Sequence, residues 1–161
     1  MIEEKNISSA KIWSILETVC DPEIPVLTIT DLAIVKNVQV VDNTIIITIT
    51  PTYSGCPAMD MIATNIRLAL NEAGHTNYTI KQSLTPAWTT DWMTESGKKK
   101  LLEYGIAPPK GNAGAITKDG VECPQCKSSN TILISEFGST ACKALFKCED
   151  CKEPFDYFKC Y

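Results

Sequence analysis

Histidine is nearly absent from this chain, which has one, His75, among 161 residues. A histidine-rich metal site or a catalytic triad would therefore have to use that residue or do without. The sequence also has no Gly-x-Gly-x-x-Gly and no Walker-type phosphate loop, so nucleotide chemistry is unsupported. Its formal net charge is −4, and the basic surplus of a nucleic-acid-binding protein is missing.

Long apolar runs are missing as well, because no stretch reaches the ~20 consecutive apolar residues that a membrane-spanning helix needs. The residues that follow Met1 lack the basic and then apolar pattern of a secretory signal. We therefore expect a cytoplasmic protein that binds neither nucleic acid nor membrane. In a reducing cytoplasm, eight cysteines favour metal or redox chemistry over a disulfide framework.

Six of those cysteines fall from Cys123 onward, and four of the six form two Cys-x-x-Cys pairs, Cys123/Cys126 and Cys148/Cys151. Each pair can present two thiolates on one tight turn, and two such turns complete the four-sulfur shell that zinc prefers in structural sites. Rubredoxin-type iron uses a similar pair of pairs, usually with glycine after the second cysteine, whereas lysine stands there in this chain. The spacing predicts a metal ribbon in which zinc is favoured and iron or an iron-sulfur centre stays open.

Two further cysteines, Cys142 and Cys160, remain in this segment after the four ribbon ligands are assigned. Each lies near the end of a predicted strand, where it could be a buried structural cysteine, an additional ligand or a redox partner. A segment this short is marginal as an independent fold, since domains below ~40 residues usually need a metal or disulfides. The ribbon is therefore expected to depend on its metal.

Hydrophobic periodicity in the preceding residues predicts an α+β domain, in which helices pack on a small mixed sheet. A Gly/Pro-rich stretch follows it and predicts a linker. We divide the chain into an α+β domain at residues 1–107, a linker at 108–120 and a four-cysteine β ribbon at 121–161. Within the first domain the predicted elements are a helix at 8–19, a hairpin at 33–41 and 44–50, a helix at 57–74, a strand at 78–84 and a helix at 94–104.

Cys56 is the candidate reactive residue of the first domain, in the segment Thr52-Tyr53-Ser54-Gly55-Cys56-Pro57 that precedes the second helix. The positive end of the helix dipole and the unpaired backbone N–H groups there favour a thiolate over a thiol. Gly55 allows a tight turn and the close approach of a ligand. The alternative is a small residue that merely ends a strand and caps a helix.

The segment Asp21-Pro22-Glu23 is the second candidate, because it holds two carboxylates on either side of a rigid proline at the end of the first helix. As a helix stop it needs no function, since Pro22 disfavours helical geometry in the residue before it. Two acids on so fixed a turn could instead orient a ligand or the Cys56 loop. Local sequence alone leaves both interpretations open.

Together, Asp21-Pro22-Glu23, the hairpin, Thr52-x-x-Gly55-Cys56-Pro57 and Pro86-x-Trp88 resemble the iron-sulfur cluster assembly domain family that includes SufT-like proteins. That resemblance covers residues 8–108 in order. The segments 135–145 and 154–160 resemble the PaaD (PaaJ) family of the phenylacetate catabolic system. With both parts included, the resemblance spans nearly the whole chain.

The resemblance implies an accessory protein, not an enzyme, that is needed for aerobic phenylacetyl-CoA ring epoxidation. It implies that such a protein helps to mature the metal centres of the oxygenase and of its iron-sulfur reductase, which are the expected partners. By the same resemblance, Cys56 would hold transient iron or an iron-sulfur cluster, supported by Asp21, Glu23 and Thr52. A homodimer could share a cluster, because one sulfur cannot complete its shell. The alternatives are a structural or regulatory subunit, and an electron-transfer protein with iron in the ribbon.

Overall fold

The computed structural model describes residues 7–110 and 120–159. The predicted linker residues 111–119 and the candidate ligand Cys160 therefore lie outside the described residues. The helices are α1 (Ser9–Leu16), α2 (Ala58–Glu72) and α3 (Glu95–Glu103), with a 3₁₀ helix at Thr90–Trp92; the strands are β1 (Val35–Val41), β2 (Thr44–Ile49), β3 (Tyr78–Gln82), β4 (Ile106–Ala107), β5 (Thr131–Ser135), β6 (Lys143–Cys148) and β7 (Pro154–Phe158). Within these ranges no helix is both long enough and apolar enough to cross a membrane.

The first sheet has the strand order β1-β2-β3. The antiparallel pair β1 and β2 forms the predicted hairpin, with Asp42 and Asn43 at φ of 48° and 60°, the left-handed geometry that suits a tight hairpin turn. Strand β3 pairs with β2 in parallel, because α2 carries the chain back across the sheet. One face of β2, formed by Ile45, Ile47 and Ile49, is buried in the core.

Helix α2 buries one face against that core through residues spaced three or four apart, including Ile62, Ile66 and Leu70. The helix ends at Glu72, two residues before the end predicted at Gly74, and Gly74 has a φ of 82° that residues with a Cβ rarely adopt. The mixed α+β class is thus confirmed. The first of its helices begins at the expected place, where the Ser8 hydroxyl accepts from the backbone N–H of Lys11.

The predicted end of that first helix is wrong, because α1 ends at Leu16 instead of Val19. The chain leaves the helix early to pair with the segment that follows the Asp-Pro-Glu turn. The carbonyl of Val19 accepts from the backbone N–H of Ile29 at 2.9 Å, and Cys20 forms an isolated antiparallel bridge with Thr28. This pairing holds Asp21 and Glu23 on a closed loop.

The second sheet has the order β4-β7-β6-β5, and its strands β5, β6 and β7 lie within the predicted ribbon. Its edge strand β4, at the end of the predicted first domain, pairs in parallel with β7. The predicted first domain (the first module) and the ribbon (the second module) therefore contribute strands to the same sheet. Phe146, Phe155 and Tyr157 pack together in a small separate core beside the ribbon cysteines.

The ribbon also packs directly on the first domain. Phe158 is 2% exposed and belongs to the core of the first domain, where its ring meets Trp88 edge-on at a centroid distance of 6.2 Å. Trp88 is in turn fixed by a hydrogen bond of 2.7 Å from its indole N–H to the Leu32 carbonyl. Cys142, just before β6, is buried in the same core. The ribbon therefore packs directly against the first domain.

Candidate metal sites

The four predicted ribbon ligands meet in space, with one sulfur each from Cys123, Cys126, Cys148 and Cys151 within 4.8 Å of one another. The Cys123–Cys151 sulfur distance is 3.7 Å and the Cys126–Cys148 distance is 3.5 Å. Metal–sulfur bonds of about 2.3 Å in a tetrahedron require sulfur–sulfur edges of about 3.8 Å. The four sulfurs therefore fit a closed tetrahedral metal site.

The backbone of both cysteine turns has a conformation that suits this metal site. Lys127 and Lys152, each directly after the second cysteine of its pair, adopt φ values of 64° and 66°. These are the positions where glycine is usual in rubredoxin-type turns, and the lysines adopt the left-handed geometry despite their Cβ atoms. The Cys151 backbone N–H donates to the Cys148 sulfur at 3.5 Å and lowers the pKa of that thiol to about 7, which favours the thiolate that binds metal.

Cys56 occupies the expected place before α2, where Gly55 turns the chain at a φ of 78° and Pro57 caps the helix. Its electrostatics differ from the sequence expectation of a thiolate. Burial raises the pKa of the Cys56 thiol above its ordinary value, and the nearby carboxyl groups of Glu23 and Asp21 add to the rise. The helix N-terminus acts in the opposite direction, through the Ala58 N–H, but does not prevail. Burial and the two carboxyl groups therefore favour the thiol form of Cys56 over the thiolate.

A small cavity brings Cys56 together with its three predicted supporting residues. Asp21, Glu23 and Thr52 all line it beside the cysteine, and the rest of its wall is mainly apolar. Its free space of about 10 Å³ is room for one water-sized particle. The loop after α1 and the loop before α2 thus form one site, although 35 positions separate Asp21 from Cys56.

The two carboxylates of this cavity have different tasks. Asp21 Oδ1 accepts hydrogen bonds of 2.8 Å from the backbone N–H groups of Glu23 and Ile24, which fixes the turn around Pro22. Glu23 makes no such turn contact, and its Oε2 lies 3.9 Å from the sulfur of Cys142. Burial raises the pKa of both acids, and the charge of Asp21 adds to the rise at Glu23. Asp21 builds the turn, and Glu23 faces across the cavity.

Cys142 lies in this cavity and is not part of the four-sulfur group in the ribbon. Of the three roles left open for Cys142, that of an additional ligand of the ribbon metal therefore gains no support within the described residues. Its position could not be read from local sequence, since 119 positions separate it from Glu23. Sequence analysis also gave no role to Tyr53, whose hydroxyl hydrogen-bonds the Cys56 thiol. The sequence signal that could have identified Tyr53 is its place in the same loop, three residues before Cys56.

Two family models match the chain in order along its length. An iron-sulfur cluster assembly protein family matches residues 9–77, and the PaaD zinc beta ribbon domain matches residues 107–159. A protein of Escherichia coli (strain K12), provisionally named as a component of 1,2-phenylacetyl-CoA epoxidase, is 54% identical over 93% of this chain and 92% of its own length. An Fe-S protein maturation auxiliary factor of Porphyromonas gingivalis is 37% identical over 56% of this chain and 85% of its own.

Solved structures resemble the first module. A domain of unknown function, DUF59, from Bacillus anthracis aligns with a TM-score of 0.54 at 28% identity, over 58% of this chain and 90% of that one. A conserved hypothetical protein from Thermotoga maritima aligns with a TM-score of 0.51 at 24% identity, over 59% of this chain and 94% of that one. Both support the α+β fold of the first module.

Proposed function

The chain belongs to the PaaD family of phenylacetyl-CoA epoxidase components, and from that premise we propose that it is a non-catalytic accessory protein that matures the iron or iron-sulfur centres of the epoxidase. The observation that carries the proposal is the cavity in which Cys56 meets the carboxylates Asp21 and Glu23. A thiol and carboxylates beside a helix N-terminus suit the transient binding of iron. The maturation factor of Porphyromonas gingivalis supports the same role.

The four-cysteine ribbon has a structural task in this proposal. We assign it zinc, because closed four-sulfur sites are typical of structural zinc and the matching family is a zinc ribbon. Iron would give the same sulfur spacing, so metal analysis has to decide between them. A colourless protein with one zinc per chain supports the assignment, and a coloured iron-bearing ribbon would support the electron-transfer alternative.

The ribbon also offers a surface for the other epoxidase components. Edge strand β5 exposes apolar side chains, with Ile132 at 46% and Ile134 at 53% exposure, and Phe137 after it is 55% exposed. An edge strand with exposed apolar residues can receive another chain. We propose that it contacts the oxygenase or the reductase. The reduced thiols that both metal sites require agree with the cytoplasmic location expected from the sequence.

Complementation in cells that degrade phenylacetate tests the proposal. Cells that lack this gene should regain phenylacetyl-CoA epoxidation with the wild-type gene and not with the Cys56→Ala gene. The Cys56→Ala protein should nevertheless accumulate in a folded form. The matched control is Cys20→Ala, because Cys20 is exposed and does not line the cavity.

A second candidate function, that of a structural subunit of the epoxidase, is favoured by the exposed apolar edge of β5. It predicts stable co-purification with the oxygenase and full epoxidation with Cys56→Ala. Active epoxidase in cells that carry only Cys56→Ala would overturn the maturation proposal and favour this alternative.

A further inference from the structure

The ribbon contributes two side chains to the wall of the cavity, Phe158 and Cys142, and of these only Cys142 carries a metal-ligating atom. Its position is fixed by the backbone, because its carbonyl accepts from the Lys159 N–H at 2.8 Å beside β7. Its sulfur lies 3.0 Å from the Thr140 hydroxyl oxygen and 3.9 Å from Glu23 Oε2. The residue is 5% exposed. The ribbon's own metal does not need it, since four other sulfurs complete that shell.

We propose that Cys142, Glu23 and Cys56 form a binding site for a single divalent transition-metal ion, built jointly by the ribbon and the first module. The inference rests on the proposed function and deepens it, because it identifies the cargo as one ion and its second sulfur ligand as a residue of the ribbon. Cys142 thereby acquires a role in cargo binding instead of ribbon structure.

The size of the cavity argues for one ion. Its free space of about 10 Å³ admits a particle the size of one water molecule. A two-iron or four-iron cluster with its bridging sulfides is larger than this space. While Phe158 is seated in the core of the first module, a single ion is the cargo that fits.

The spacing of Cys142 and Glu23 matches two ligands of one metal. Metal–sulfur bonds of about 2.3 Å and metal–oxygen bonds of about 2.1 Å in a tetrahedron place the two ligand atoms about 3.6 Å apart. The observed separation is 3.9 Å, at which the Cys142 thiol donates a long hydrogen bond to Glu23 Oε2, and a metal ion would replace that proton. The ligand atoms of Cys142, Glu23 and Cys56 do not all lie within 4.8 Å of one another, a spacing that only the ribbon cysteines achieve in the described ranges. A site with all three ligands would therefore require these side chains to move closer together on binding.

The chemistry of the donor set selects the class of ion. Metal binding displaces the protons of the Cys56 and Cys142 thiols to solvent. The resulting two thiolates and one carboxylate suit borderline metals such as iron(II), cobalt(II) and zinc, whereas calcium and magnesium prefer all-oxygen sites. Asp21 stands beside these ligands and adds negative charge, and Lys143 is a cation that acts on both carboxyl groups. A divalent ion would offset the remaining charge of the ionised ligands.

Anaerobic cobalt(II) titration of the full chain tests the site. The ribbon is first loaded with one equivalent of zinc, which resists exchange because zinc binds more tightly than cobalt in the same site. Charge-transfer absorbance from sulfur to cobalt then reports the thiolates of the second site. The wild type should bind one further equivalent through two thiolates. Cys142→Ser and Cys56→Ser should each lose about half of that absorbance, and the double variant should lose all of it.

Two further variants keep the result interpretable. Glu23→Gln preserves the shape of the side chain and should weaken cobalt binding at least tenfold. This variant still tests the second metal site if Cys142→Ser fails to fold. Cys20→Ser removes an exposed thiol outside the cavity and should bind cobalt like the wild type. Wild-type absorbance and affinity in Cys142→Ser would overturn the inference, as would the absence of a second cobalt equivalent in the wild type. Loss with Cys56→Ser alone would overturn it while leaving the maturation proposal intact.

Discussion

Replacing Phe158 with alanine should separate the unfolding of the two modules. The ring is 2% exposed in the core of the first module, yet it belongs to a strand of the ribbon. A buried phenylalanine removes about 150 Å² of apolar surface from water, which at about 25 cal/mol per Å² amounts to about 4 kcal/mol. This agrees with the cost of about 3–5 kcal/mol for truncating a core phenylalanine to alanine. Most of that loss falls on the contact between the modules.

Urea unfolding followed by two signals measures this effect. Tryptophan fluorescence reports the first module, because Trp13, Trp88 and Trp92 all lie there, and release of the ribbon metal to an indicator dye reports the ribbon. The two transitions should coincide in the wild type and separate in Phe158→Ala. Phe137→Ala is the matched control, since that ring is 55% exposed and its contact with Lys159 is worth about 1 kcal/mol at most. Coincident transitions at the wild-type midpoint in Phe158→Ala would refute the reasoning.

Two further predictions concern stability. Asp31→Asn should cost about 1–3 kcal/mol at neutral pH, because Asp31 accepts a hydrogen bond of 2.6 Å from Lys100 that ties α3 to the loop before β1. Burial alone would raise the pKa of Asp31, but Lys100 and the other donors lower it, so its stabilisation is present above about pH 4 and is lost as the pH falls through the lowered pKa. The difference between wild type and variant in urea midpoint should therefore shrink below about pH 4, and a constant difference would contradict this account. Removal of the ribbon metal by a strong chelator should unfold the ribbon while α1 and α2 persist, since structural zinc supplies about 10–16 kcal/mol of apparent folding free energy; circular dichroism unchanged by chelation would show that the ribbon folds without it.

Individual strands, helices and ligand groups could mostly be predicted from the residue types and spacing of short segments. The β-branched run at Ile45–Ile49 predicted a strand, the spacing of Ile62, Ile66 and Leu70 predicted a helix, and two Cys-x-x-Cys pairs predicted a four-sulfur site. Each of these signals is contained in a short window of sequence or in a fixed spacing. The resemblance to known families supplied the link between Cys56 and the acidic turn.

Relations between distant segments escaped prediction, because periodicity does not encode which segments pair. The early end of α1 depends on backbone pairing between Val19 and Ile29. The raised pKa of the Cys56 thiol depends on burial and on carboxylates that fold against it, which outweigh the local helix terminus. The encounter of Cys142 with Glu23 depends on how the ribbon seats on the first module. The composite character of the site is thus a property of the tertiary structure.

The proposal that Cys56 takes part in maturing the epoxidase is tested most directly by the iron content of the epoxidase itself. The oxygenase and reductase subunits would be purified anaerobically from cells that carry wild type, Cys56→Ala or the control Cys20→Ala, and assayed for iron and acid-labile sulfide per chain. The account predicts metal-deficient epoxidase from the Cys56→Ala cells and full metal content from the other two. Full iron and sulfide in the epoxidase from Cys56→Ala cells would contradict it.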